Sequence, residues 1–312
     1  KALPLINHKY GTDQKCTMCG QKDPDYAVPA PTLKAQSDWF KYRSSYRDSI
    51  YTISFVKEYT PTGSEKASWN ADVNDTGAIK AYIVGSNLII SAEGAEKIKA
   101  NEDSSSVFSG LRAMKNISGL NLLDTSNATT MRAMFYGCAK LVDVDVLNFN
   151  TSNITSMENM FCGCSSLKSI NLKNFDTSKT KSMGSMFSGC SNLTAIDVSN
   201  FNTSNVTSME SKFSNCAVNS LNVSAFDTSH VSTMRGMFSN CRNLKSLDVS
   251  GFVTDNVTNM AGMFSGCTAL TSLNLGKIDT SKVTNMTQMF WGCSKLPSLD
   301  VSGFNTSNVQ KM

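Results

Sequence analysis

Phe149-Asn-Thr151-Ser-Asn-Ile154-Thr-Ser-Met157-Glu-Asn-Met160-Phe161-Cys-Gly-Cys164-Ser-Ser-Leu167-Lys-Ser-Ile170-Asn-Leu172 is one unit of a sequence that repeats itself. One aromatic column runs Phe135, Phe161, Phe187, Phe213, Phe238, Phe264, Phe290. A first methionine column runs Met131, Met157, Met183, Met209, Met234, Met260, Met286, Met312. A second runs Met134, Met160, Met186, Met237, Met263, Met289, with Lys212 breaking it. Cys138, Cys164, Cys190, Cys216, Cys241, Cys267 and Cys293 are spaced 26, 26, 26, 25, 26 and 26 residues apart. A fixed period of this size is the mark of an array of stacked units. The short gap falls between Cys216 and Leu221, where one unit lacks a residue.

Two shorter periods lie inside the unit. Leu167-x-x-Ile170-x-Leu172 alternates at its end and predicts a short strand with one face inward. Ile154, Met157, Met160 and Phe161 fall at i, i+3, i+6 and i+7 and predict one to two turns of helix, ended by Gly163. A strand plus a short helix in about 26 residues, with Leu-x-x-Leu-x-Leu spacing, predicts an α/β solenoid: a right-handed coil like that of leucine-rich repeats. Each unit carries about nine apolar side chains. Each contributes on the order of 1.5–3 kcal/mol when buried, and only a neighbouring unit can bury them.

Outward from the array, Phe108 to Leu122 reads as a worn first unit, with Phe108 matching Phe135. Ile50–Val56, Ile79–Val84 and Asn87–Ser91 read as strands, punctuated by Pro61, Gly63 and Gly77. The expected organisation is a linker or arm over 1–37, a small N-terminal β cap over 38–103, and a solenoid over 104–312 of about seven full units after the degenerate one. The last unit stops mid-repeat at Met312, so the natural protein is expected to continue; a start at Lys1 carries no information about a leader.

Composition narrows the function classes. A net charge of +4 on 312 residues, with 17% charged residues, does not suit a nucleic-acid protein. No apolar run approaches a membrane span. The two histidines, His8 and His230, belong to no Ser-His-Asp set, and neither a Gly-rich phosphate loop nor HExxH is present, so the reading is not an enzyme. No cofactor is expected. The evenly spaced cysteines read as buried small hydrophobes, because side chains stacked in one column cannot converge as a disulfide requires. Cys16, Cys19 and His8 leave three readings open: a zinc site one ligand short, a local disulfide, or an unordered linker.

One outward position per unit alternates strictly: Asp145, Asn171, Asp197, Asn222, Asp248, Asn274, Asp300. Interposed amides double the carboxylate spacing to about 10 Å, near the Debye length in physiological salt. This charge-managed ladder, with the exposed Trp291, is the candidate binding surface. Its serine neighbours lack the Trp, Tyr and Arg of interface hot spots.

Phe175-Asp-Thr177-Ser through Met183, Met186, Phe187 and Gly189-Cys190 resembles the unit of BspA-like leucine-rich-repeat surface proteins, and the resemblance covers about residues 68–312. It implies a secreted or wall-attached protein of a host-associated bacterium, acting as an adhesin or binding scaffold. The implied partners are a host extracellular-matrix or cell-surface protein, or a glycan. A structural spacer with no ligand of its own is the rival expectation. A monomer without nucleic acid is expected in either case.

Overall fold

A computed structural model describes residues 30–35, 38–41 and 43–312 of the chain. The N-terminal part is a mixed five-stranded sheet. Its strands are β1 (Thr52–Val56), β2 (Ala67–Asn70), β3 (Lys80–Val84) and β4 (Asn87–Ser91), together with β6 (Asn116–Ser118). The order is β2-β3-β4-β1-β6. β2, β3 and β4 pair antiparallel, whereas β1 pairs parallel with both β4 and β6. Ile53, Phe55, Ile83, Leu88 and Ile90 are buried; all but Leu88 are the β-branched or aromatic types that fit a pleated surface. A short pair, β5 (Ile98–Lys99) with β7 (Leu123–Asp124), runs parallel beside it.

The sheet meets the repeat array at Phe108. Phe55 and Trp39 both pack edge-on to that ring, at 6.1 and 6.0 Å between centroids. The Trp39 indole N–H donates to the Val107 carbonyl at 3.0 Å. On its other side Phe108 stacks on Phe135 at 5.2 Å. The aromatic column continues unbroken to Phe290, with successive rings 5.4–6.0 Å apart and within 9° of parallel.

The α/β solenoid is overturned. Among the described residues the only α-helix is the single turn α1 (Arg43–Tyr46), which lies outside the array. Continuous strands do not close the array into a coil either. Its only strand pair beyond the N-terminal sheets is β8 (Ser246–Asp248) with β9 (Ser272–Asn274). The array is a pile of turns. The segment expected to be helical contains two residues in the left-handed region, Asn159 at φ 58° and Gly163 at φ 76°. The same two positions recur as Ser185 and Gly189, Ser211 and Asn215, and Gly236 and Asn240. A right-handed helix cannot pass through such residues.

The backbone bonds go elsewhere, as they must when buried. The N–H groups of Met157, Asn159, Phe161 and Gly163 donate to the carbonyls of Ser182, Gly184, Met186 and Ser188 in the next unit, at 2.7–2.9 Å. The alternate residues Met160, Cys162 and Cys164 donate three positions back within their own unit, at 3.0–3.2 Å. Consecutive three-residue turns repeat apolar positions at i, i+3 and i+6 just as a helix does, and that is why the spacing misled.

A second file is polar and buried. Thr125, Thr151, Thr177, Thr203, Thr228, Thr254 and Thr280 are at most 2% exposed. Each hydroxyl donates to a backbone carbonyl of the following unit, at 2.8–3.1 Å. Several also accept the N–H of that same residue; Thr151 does so from Asp176 at 2.8 Å.

Candidate functional site

The Asp/Asn column is exposed along its whole length. Its first task is local. The side-chain oxygen of each residue accepts the backbone N–H two positions on: Asp145 from Leu147, Asn171 from Lys173, Asp197 from Ser199, Asn222 from Ser224, Asp248 from Ser250, Asn274 from Gly276 and Asp300 from Ser302. This is the Asx turn, which explains why both Asp and Asn serve there. The hydroxyl and N–H of Ser199, Ser250 and Ser302 hold Asp197, Asp248 and Asp300 below the ordinary carboxylate range. Between neighbouring ladder residues, the Asn274 amide donates to the Asp248 carboxylate at 3.2 Å.

Three of the ladder residues converge. Asn222, Asp248 and Asn274 line a groove of about 620 Å³, floored by Leu247, Val249 and Phe252 and walled by Ser220, Ser246 and Ser272. The groove coincides with β8 and β9, the place where the array's face becomes a true parallel ladder, Leu247 opposite Leu273. It also adjoins the unit that lacks one residue. Chemically it offers hydroxyls, amides and one carboxylate above an apolar floor, a surface suited to hydrogen-bonding a polar ligand.

The other candidates are not brought into it. Trp291 is 65% exposed and lines a separate, more apolar cavity of about 550 Å³ with Met289, Phe304 and Met312. Cys16, Cys19 and His8 lie outside the described residues, and no group of three His, Cys, Asp or Glu side chains with metal-site geometry occurs among those that are described. Cys138, Cys164, Cys190, Cys216, Cys241 and Cys267 are buried; Cys293 is partly buried. Each thiol donates to the carbonyl of a phenylalanine in the preceding unit, from Phe108 through Phe264, at 3.0–3.2 Å. Burial pushes the Cys138 and Cys267 thiols up to about 12, so neither is a ready nucleophile.

A second alternating column escaped the sequence reading. The column runs Asp124, Asn150, Asp176, Asn202, Asp227, Val253, Asp279, Asn305, so its aspartates fall in the same units as Asp145, Asp197, Asp248 and Asp300. Three of them have a basic side chain three residues on, Lys179, His230 or Lys282. The intervening units carry Asn153, Asn205 and Asn256 at that position, and their amides donate to the carbonyl of a serine in the unit before. At these two columns acidic and neutral residues therefore alternate from unit to unit, a period of two units. Comparing the two columns against each other, rather than each alone, would have found it.

Another cavity, of about 700 Å³, lies elsewhere, beside Trp69 and Tyr82 in the N-terminal sheet. Two of its lysines are already engaged, Lys34 with Asp75 at 2.6 Å and Lys80 with Glu93 at 3.7 Å.

The sequence profile described as "Mycoplasma protein of unknown function, DUF285" matches residues 102–226 and 207–312, which is the array and more than half of the chain. The chain belongs to the DUF285 family. No curated protein is significantly similar to this DUF285 chain. Among solved structures, a leucine-rich repeat protein from Eubacterium ventriosum ATCC 27560 is 14% identical, over 74% of this chain and 83% of that one. The TM-score is 0.29, a superposition too loose to transfer anything between them. The BspA-like resemblance therefore stands here in its coarser form, as a repeat protein of the DUF285 family. No helix among the described residues is long and apolar enough to cross a membrane.

Proposed function

We propose that this DUF285 chain is a non-enzymatic binding scaffold of a bacterial cell surface, and that the groove over Asn222, Asp248 and Asn274 is its contact region. The observation that carries the reading is the convergence of three outward ladder residues on one concave polar patch. The BspA-like motif of the units adds the extracellular, host-associated setting. The ligand class is a host matrix or cell-surface protein, or a glycan, met by a monomer. A groove of hydroxyls and amides suits hydrogen-bonding of a polar surface better than catalysis. Binding of the whole chain to arrayed glycans and matrix proteins tests this. Ser246→Trp and Ser272→Trp, which fill the groove without touching the Asx turns, should abolish any binding found. Binding that survives both removes the groove from the proposal.

One observation favours a spacer instead. One side-chain oxygen of every ladder residue is engaged by its own backbone, so the choice of Asp and Asn there is explained without a ligand. If no ligand is retained by the intact chain, the spacer is the better reading.

A further inference from the structure

The second methionine column is broken once, at Lys212, and Lys212 is fully buried. Its amine lies 2.9 Å from the Met183 sulfur. Three phenylalanine rings surround it: Phe201 at 5.1 Å, Phe226 at 5.4 Å and Phe213 at 5.8 Å to the ring centres. Phe201 opens the unit that holds Lys212, Phe213 is its neighbour in sequence and Phe226 opens the next unit, so apolar rings and a thioether enclose the amine. No carboxylate forms an ion pair with it among the described residues. Glu210, two positions earlier, is on the outside and paired with Arg235 at 2.8 Å. The other ionisable groups of this interior are the Cys190 and Cys216 thiols, which donate to the carbonyls of Phe161 and Phe187. The position also lies in the unit with the missing residue, where Val218 takes the place that leucine holds in its neighbours.

A sulfur and three π faces give a neutral or charged amine only weak partners, and a lysine costs most where its charge is least solvated. We infer that Lys212 makes its unit a soft joint of the array, whose local opening is coupled to the uptake of one proton by the amine. Burial alone lowers this amine to about 7, against the ordinary 10.5 it regains when the unit opens. The sign follows from linkage. Between roughly pH 7 and 10 the closed unit holds a neutral amine and the open one an ammonium, so opening becomes up to tenfold easier for each unit the pH falls. Below about 7 both states are charged, and the joint stays at its softest.

The neighbouring cysteines report the opening in the intact chain. Labelling with a pyridyl disulfide, read cysteine by cysteine by mass spectrometry, gives the rate at Cys216 relative to the distant Cys138. That ratio should rise at least tenfold from pH 9 to pH 7. Lys212→Met restores the residue of the column, and in that variant the ratio should be lower at pH 7 and independent of pH. Hydrogen exchange of the amides over 209–218, corrected for intrinsic rate, should move in parallel. A ratio that does not change with pH in the natural chain, or that behaves alike in K212M, overturns the inference.

Discussion

The N-terminal sheet and the repeat array solve one problem in different ways. In the sheet, the backbone is satisfied by strands three to five residues long, and the loop between β2 and β3 is anchored by a buried charge. Asp72, 2% exposed, accepts from the N–H groups of Thr76 and Gly77 at 2.9 Å and from the Thr76 hydroxyl at 3.0 Å. In the array, backbone bonds pass from unit to unit at alternate residues, and the buried polar groups are mostly hydroxyls and thiols, with the Lys212 amine as the exception. The sheet depends on a carboxylate being ionised, and the array on each unit finding a copy of itself. Acid should therefore act first on the sheet, and cavities should act furthest in the array.

The largest effect expected is from Phe213→Ala, on the order of 3–5 kcal/mol, because it deletes a fully buried ring from the middle of the stack. Hydrogen-exchange protection should fall in the flanking units as well. A loss confined to one unit would break the contrast with the sheet. Asp72→Ala should cost about 3 kcal/mol by leaving several N–H donors without a partner. It should unfold the β2–β3 loop with the array intact, as limited proteolysis can show. Burial works to raise the Asp72 carboxyl, but the Thr76, Ile79 and Gly77 donors outweigh it and hold it low. Its folded value lies below its unfolded one, so its contribution is present above about pH 4 and lost as the pH falls further. Acid titration followed by tryptophan fluorescence should report the sheet, through Trp69 in β2 and Trp39 packed beside it, before the array.

Thr151→Val should cost about 2 kcal/mol, since it strips a hydroxyl that serves both the N–H and the carbonyl of Asp176. A neutral result in thermal melting would demote the threonine file to ordinary packing. Gly163→Ala should cost about 1 kcal/mol at φ 76°, with its new methyl 3.4 Å from Gly137. Asn215 and Asn240 fill the same column with a side chain, so a much larger loss would mean that the units are less alike than their turns suggest.

Much of the array was legible in the columns. Identical residues 26 apart have to meet if units stack, and the Phe, Met and Cys files follow from that. The helix was not legible, because Ile154, Met157 and Met160 have the same spacing on a helix and on a run of tight turns. The sign against it was the residue set Ala133, Asn159, Ser185, Ser211, Gly236, Gly262, which accepts glycine freely in the middle of the supposed helix. The candidate surface was legible as a ladder but not as a groove. Curvature at Asn222, Asp248 and Asn274 depends on how three successive units sit together, which no single unit encodes.

The sequence by itself determined the period, the identity of each file and the alternation of charge, because a linear repeat constrains which residues become neighbours whatever the local backbone is. Only the tertiary structure decided what that backbone is. A hydrogen bond to the next unit and a hydrogen bond to the next turn satisfy the same N–H, and the choice between them rests on the left-handed residues and on the neighbour standing 26 positions away. The burial of Lys212 was decided the same way, since the charge of a side chain does not reveal what will close around it.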